Sequence, residues 1–171
     1  MFRPSSFLIV TILLISFNRF VFANATLSAT ELPSFSFDFC KIDPAVTIHF
    51  KLLKRVAPFR GDVQIIANIQ NLGTQTFVAG SYEASVFLYE DQQIVGSRVF
   101  KTLVPGQQVQ LRFTREWDAA NYVEGEFPPI YRAVIIYDPN ICRDNNPYND
   151  DCNATNNSAI KRGTEINALF Y

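Results

Sequence analysis

Few residues in this chain have the chemistry of a catalytic centre. His49 is the only histidine, so any histidine-dependent triad would have to use it. It lies on the polar side of an alternating apolar and polar segment, which is typical of a surface histidine. The sequence contains no HExxH, GxSxG or phosphate-binding loop motif. These features predict a protein that is not an enzyme.

The largest group of oxygen ligands lies in an acidic loop between two cysteines. Between Cys142 and Cys152 the chain carries Asp144, Asp150 and Asp151, whose carboxylates are of the kind that calcium binds. The loop lacks the repeated acidic pattern and the late bidentate glutamate of an EF-hand, and the cysteine spacing suits no tetrahedral zinc site. The sequence therefore predicts weak calcium binding at most and no other cofactor.

Three cysteines predict one disulfide bond and one cysteine left over. Cys142 and Cys152 flank a short polar loop, so we expect them to form the disulfide. Cys40 would then be free or bonded to another protein. In the alternative pairing, Cys40 bonds to Cys142 and ties the N-terminal segment to the domain.

One aromatic segment near the N-terminus is a candidate for partner contact. Phe35, Phe37 and Phe39 alternate with polar residues and so form one apolar face of a predicted strand. This strand either packs on the domain or adds to the sheet of a partner protein.

A second aromatic segment lies between two predicted strands. It contains Trp117, Tyr122 and Phe127, followed by two prolines. Exposed, these rings would form a protein contact or a platform on which a sugar stacks. We favour the other interpretation, a loop folded over the end of the domain.

Period-two alternation dominates the chain, and no long helical pattern occurs. Strands are predicted at residues 46–52, 63–69, 84–89, 94–100, 109–113, 131–137 and 159–169, in addition to the phenylalanine segment. Turn markers separate them. We expect Gly73 to adopt a positive φ, and Pro105-Gly106 to occupy the centre of a type II turn. About seven to eight short strands at this spacing predict an all-β fold, an antiparallel β-sandwich of immunoglobulin type.

The N-terminus has the pattern of a secretory signal peptide. Arg3 precedes an uncharged apolar run, residues 7–17, and small residues at Ala23 and Ala25 suit cleavage. The alternative, an uncleaved anchor, is disfavoured because the run is short and Arg19 interrupts it. We expect a signal peptide at 1–23, a strand-forming extension at 24–61 and, continuous with it, a β-sandwich at 62–171. The mature protein would be periplasmic or extracellular and would not span the membrane.

Several segments together carry a family resemblance. They are Asn71-Leu72-Gly73-Thr74, the hairpin VFLYEDQQIVGS, LVPGQQVQLRF followed by Trp117, YRAVIIYDP, and Asn156-Asn157. Their order resembles the CARDB family, the cell-adhesion-related domain found in bacteria, over about residues 62–160. The resemblance implies an exported, non-catalytic interaction module with a seven-stranded immunoglobulin-like fold, and it specifies no ligand. The cysteine-bearing loop and residues 25–61 depart from the family pattern.

Charge and motif content narrow the function. A formal net charge of −1 argues against a general nucleic-acid binder, because such a protein needs a basic face. We expect a binding or adhesion-type module that contacts a protein or cell-surface partner through sandwich loops or an edge strand. The alternatives are a subunit of a multi-protein cell-envelope assembly and a carbohydrate-binding module that uses the Trp117 segment.

Overall fold

The computed structural model describes residues 41–80, 84–137 and 145–171. All of these belong to one compact unit, Phe37–Tyr171. Outside the described residues lie the predicted signal peptide, Phe35, Phe37, Phe39, Cys40, Cys142 and Asp144. No helix among the described residues is long and apolar enough to cross a membrane.

The described chain is built mainly from strands, all paired antiparallel. They are β1 (Pro44–Ala57), β2 (Arg60–Asn71), β3 (Phe77–Val78), β4 (Ala84–Glu90), β5 (Gln93–Phe100), β6 (Thr102–Leu103), β7 (Gln108–Asp118), β8 (Ile130–Ile136) and β9 (Ser158–Arg162). Helical turns lie at Tyr122–Glu126, Ala154–Asn156, α1 (Thr164–Asn167) and Ala168–Phe170.

Seven of these strands form two facing sheets. The first has the order β1-β2-β7 and the second the order β5-β4-β8-β9, while β3 and β6 form a separate two-residue pair. In the lettering of the immunoglobulin fold, β1, β2 and β7 take the places of strands A, B and E, and β4, β8 and β9 those of C, F and G. The predicted immunoglobulin-like β-sandwich is confirmed.

The core lies between the sheets, on the inward side of each alternating strand. In β2, Val63, Ile65, Ala67 and Ile69 are fully buried, as their spacing predicted. From β8, Tyr131 packs edge-on against a β1 ring, Phe50, with 5.4 Å between ring centroids. The alternation therefore supplies the two apolar layers that hold the sandwich together.

The turn markers fold as tight turns, with one difference from expectation. Gly106 has a φ of 77° and Gln107 N donates to Val104 O over 2.9 Å, which is the predicted type II turn. Gly73 does not have a positive φ. It is glycine because an added Cβ would lie 2.3 Å from the main-chain oxygen of Lys41.

Asn71 joins the turn at the end of β2 to two other segments. Its fully buried side chain accepts from Asp43 N at 3.2 Å and Gly73 N at 3.0 Å. It donates to Gln75 O at 2.7 Å and Leu103 O at 2.9 Å. All four hydrogen-bonding positions of this amide are thus used.

The C-terminal strand is shorter than predicted. β9 ends at Arg162, and the chain then turns into α1 rather than continuing as a strand to residue 169. The residue between them is glycine because a Cβ at Gly163 would lie 2.7 Å from the ring of Trp117. The segment after Gly163 therefore closes one end of the sandwich.

Candidate functional site

The loop after β7 is a short π-helical turn, Tyr122–Glu126, held by hydrogen bonds at both ends. Asn121 Oδ1 accepts from Val123 N at 2.9 Å, and Gly125 N donates to Asn121 O at 2.7 Å. Phe127 N then donates to Val123 O at 3.0 Å. These contacts give the loop a defined conformation.

This loop presents three large apolar side chains to solvent. Tyr122 is 66%, Val123 54% and Phe127 62% exposed. The rings of Tyr122 and Phe127 lie 5.1 Å apart, tilted by 58°. We call these three residues the loop patch. They form a contiguous apolar surface on a loop whose backbone is already ordered.

An ion network lies beneath the loop patch. Arg115, on β7, pairs through one nitrogen with Glu90 and through the other with Glu124 Oε1, at 2.6 Å. Tyr131 donates its hydroxyl to Glu90 Oε1 at 2.7 Å. The arginine also lies over the ring of Trp117, 5.2 Å from the ring centroid. The network joins β4, β7, β8 and the loop.

The electrostatics of the network follow from its partial burial. Burial alone would lower the pKa of Arg115, but the nearby carboxylates of Glu90 and Glu124 raise it overall. Burial, and then the hydrogen bond to Glu90, raise the pKa of Tyr131. Glu124 Oε2 is buried without a hydrogen-bond partner. The arginine therefore balances two carboxylates that would be costly to leave unpaired.

The C-terminal helix α1 supports the loop from below. Trp117 Nε1 donates to Asn167 Oδ1 at 2.8 Å, and Asn167 Nδ2 donates to Glu124 O at 2.9 Å. One amide thus connects the buried tryptophan to the base of the loop.

A cavity of about 400 Å³ opens beside the loop patch. The β4–β5 hairpin forms one wall, and Arg115, Val123 and Phe127 form the other. The tip of the hairpin is fixed because Asp91, with a φ of 53°, accepts from Ile130 N at 2.8 Å. Asp tolerates this left-handed conformation better than most residues. The cavity therefore has two carboxylates on its hairpin wall, and Arg115 beside two apolar side chains on the other wall.

Two of the three predicted aromatic contacts are at this surface, and the third is not. Tyr122 and Phe127 lie together in the loop patch. Trp117 is only 1% exposed, so its prediction as a partner contact was wrong. β7 continues to Asp118, and its alternation turns the indole inward, where Asn167 satisfies the N–H.

His49 lies on the exposed side of β1. Its Nε2 is 3.1 Å from Thr47 Oγ1, a neighbour on the same face of the strand.

Asp150 and Asp151 of the acidic loop lie within the described residues, and they differ in role. Asp150 is exposed. Asp151 Oδ2 accepts from Asn157 Nδ2 at 2.6 Å and from the Tyr137 hydroxyl at 3.3 Å, and its Oδ1 accepts from Asn153 N at 2.9 Å. Burial and the neighbouring Asp151 raise the pKa of Tyr137. The carboxylate of Asp151 serves to order the loop.

The acidic loop returns to the start of β1. Cys152 N donates to Ile42 O at 3.0 Å, and Asn156 Nδ2 donates to Asp43 Oδ1 at 2.7 Å. In the described part of the chain no three acidic, histidine or cysteine side chains are grouped to hold a metal ion. The disulfide pairing stays a prediction, because Cys40 and Cys142 lie outside the described residues.

Comparison with known proteins yields matches among solved structures alone. No family model and no curated protein matches the chain. Among solved structures, the CARDB domain of the PF1109 protein from Pyrococcus furiosus, in complex with di-metal ions, is 17% identical, with a TM-score of 0.41 over 74% of this chain and 94% of that chain. A protein from Archaeoglobus fulgidus is 11% identical, with a TM-score of 0.22 over 56% and 79% of the two chains. Neither structure is similar enough to assign a ligand or a partner to this chain.

Proposed function

We propose that this chain is an exported, non-enzymatic binding protein whose protein partner docks on the loop patch. The observation that carries the proposal is the exposure of Tyr122, Val123 and Phe127 together on a hydrogen-bonded loop. Contiguous exposed apolar side chains, aromatic ones above all, are typical of the centre of a protein interface.

The order of the loop supports this proposal. The network of Arg115, Glu90 and Glu124 lies under the loop, and Asn167 holds its base. A loop that is ordered before binding loses little conformational entropy when a partner docks.

The alternative functions differ in what supports them. A subunit of a cell-envelope assembly would use the same surface, with a partner present in fixed stoichiometry. A carbohydrate-binding module has less support. Trp117 is buried, and the two exposed rings are tilted rather than coplanar, so they form no flat platform for a sugar.

Export is the part of the proposal that rests on the N-terminal sequence. A signal peptide at residues 1–23 would place the mature protein in the periplasm or outside the cell. N-terminal sequencing of the protein recovered from the exported fraction is the test. The expected mature chain begins at Asn24 or Thr26, and an intact Met1 on membrane-bound protein would contradict export.

Chemical crosslinking and affinity capture from the native envelope test the binding surface. We expect one protein to be recovered with the wild-type chain, and its capture to fall about tenfold or more with Phe127→Ser. Ile160→Ser is the matched control, because Ile160 is 64% exposed, but on β9. Equal capture by both variants, or loss with the control alone, would reject the loop patch as the interface.

A further inference from the structure

Two arginines converge on one glutamine where the two sheets meet. β5 and β7 are edge strands of different sheets and pack against each other. From β5, Arg98 Nη1 donates to the main-chain oxygen of Gln110 at 2.5 Å. From β7, Arg112 donates to Gln110 Oε1 through Nε at 3.1 Å and Nη2 at 2.6 Å. Gln110 thus contacts both guanidinium groups, one through its main-chain oxygen and one through its side-chain oxygen.

This convergence brings like charges together without a counter-charge. Arg60, Arg115 and Lys161 each form a salt bridge with a described carboxylate. No described carboxylate lies within ion-pair distance of Arg98 or Arg112. Two neighbouring cations repel each other, and a bound anion would relieve that repulsion.

The space between the arginines is an open groove. It has a volume of about 500 Å³ and is lined by Arg98, Gln108, Val109, Gln110 and Arg112. A guanidinium group has five N–H donors. Arg98 uses one of them and Arg112 two in the contacts to Gln110, so both keep donors for a ligand.

We infer that this groove binds a phosphate or sulfate group. A tetrahedral oxyanion has enough oxygens to accept hydrogen bonds from two guanidinium groups at once, and arginine is the side chain best suited to such recognition. A planar carboxylate fits one guanidinium and satisfies the pair less well. This inference is independent of the loop patch, which lies on the loop after β7 rather than beside Gln110.

A second role for these arginines must be separated from anion binding. Charged side chains on edge strands discourage pairing with other chains, and Arg98 also satisfies a carbonyl of the β7 edge. That protective role needs the charges but no ligand. It predicts no saturable binding of an anion.

Titration of the isotope-labelled, full-length protein with sodium sulfate and with sodium phosphate at constant ionic strength distinguishes the two roles. We expect saturable shifts in the side-chain Nε–H signals of Arg98 and Arg112, and several-fold weaker binding of acetate. The ratio of the two dissociation constants shows which group the site prefers. Shifts that do not saturate, or acetate binding as tightly, would overturn the inference.

Variants complete the test. Arg112→Gln removes one charge without touching the Arg98 bond to the backbone, and should weaken sulfate binding about tenfold. Arg162→Gln also removes one positive charge, but on β9, at the edge of the four-stranded sheet opposite the Arg98 strand, β5. This control variant should leave sulfate binding unchanged. Arg98→Gln, checked for folding by circular dichroism, should weaken binding as Arg112→Gln does. Equal losses in the Arg112 and Arg162 variants would show a general charge effect and reject the site.

Discussion

Replacement of Arg115 by methionine should destabilise the protein more than the loss of an ordinary surface ion pair. The side chains of Arg115, Glu90 and Glu124 are 27%, 19% and 12% exposed. Removing the arginine leaves two largely buried carboxylates without their cation. Breaking a fully buried pair costs about 3–5 kcal/mol, and the partial exposure here reduces the expected loss to about 2–4 kcal/mol. For a unit of this size, that loss lowers the Tm by about 10 °C.

The assay is urea unfolding followed by circular dichroism, with Arg60→Met as the matched control. Arg60 pairs with Glu116 at 3.1 Å, but these side chains are 53% and 75% exposed. That loss should be under about 1 kcal/mol. Adding Glu90→Gln and Glu124→Gln to Arg115→Met should restore part of the lost stability, since no buried charge then remains. An Arg115→Met loss no larger than that of Arg60→Met would refute the reasoning.

Three further predictions concern other parts of the molecule. Asn71→Ala removes four hydrogen bonds, three of them buried, and should cost about 3 kcal/mol in urea unfolding. Leu72→Ser, at the exposed neighbouring position, should change the stability by no more than about 0.5 kcal/mol. Because folding raises the pKa of Tyr131, the contribution of this residue to the folding stability is fully present below about pH 10 and is lost at higher pH. The stability of Tyr131→Phe should therefore fall less between about pH 9 and 11 than that of the wild-type protein. An equal fall in both proteins would contradict this. The Tm measured in calcium and the Tm measured in a chelator should agree within about 1 °C. A Tm higher by several degrees in calcium would contradict the prediction of weak calcium binding at most in the acidic loop.

The strands that form the core could be predicted from alternation alone. Val63 and Ile69 lie on one face of β2 in the sequence pattern and in the structure. The full length of β1 could not be predicted in this way. Register shifts after Leu52 and Arg55 change which face of the sheet each residue lies on, while the pairing with β2 continues. A strictly alternating sequence pattern does not predict such bulges.

The candidate site was only partly visible in the sequence. Tyr122 and Phe127 could be named as candidate contacts because aromatic residues between strands are unusual, and both are exposed. Trp117 was misplaced, since its pairing opposite Gly61 keeps β7 regular up to the turn, and pairing partners are not written in local sequence. The same limit applies to Glu90 and Arg115, which come together only through the sheet topology. The local sequence around either residue does not predict a contact between residues so far apart in the chain.

Site-specific photocrosslinking in the native envelope tests the central claim most directly. Tyr122→p-benzoylphenylalanine places the crosslinker in the loop patch, and Ile160→p-benzoylphenylalanine places it on β9 as the control. We expect one discrete crosslinked protein from position 122, and we expect it to be lost when Phe127→Ser is added. The crosslinker at position 160 should not capture that protein. A partner crosslinked equally from both positions, or from position 160 alone, would contradict the account.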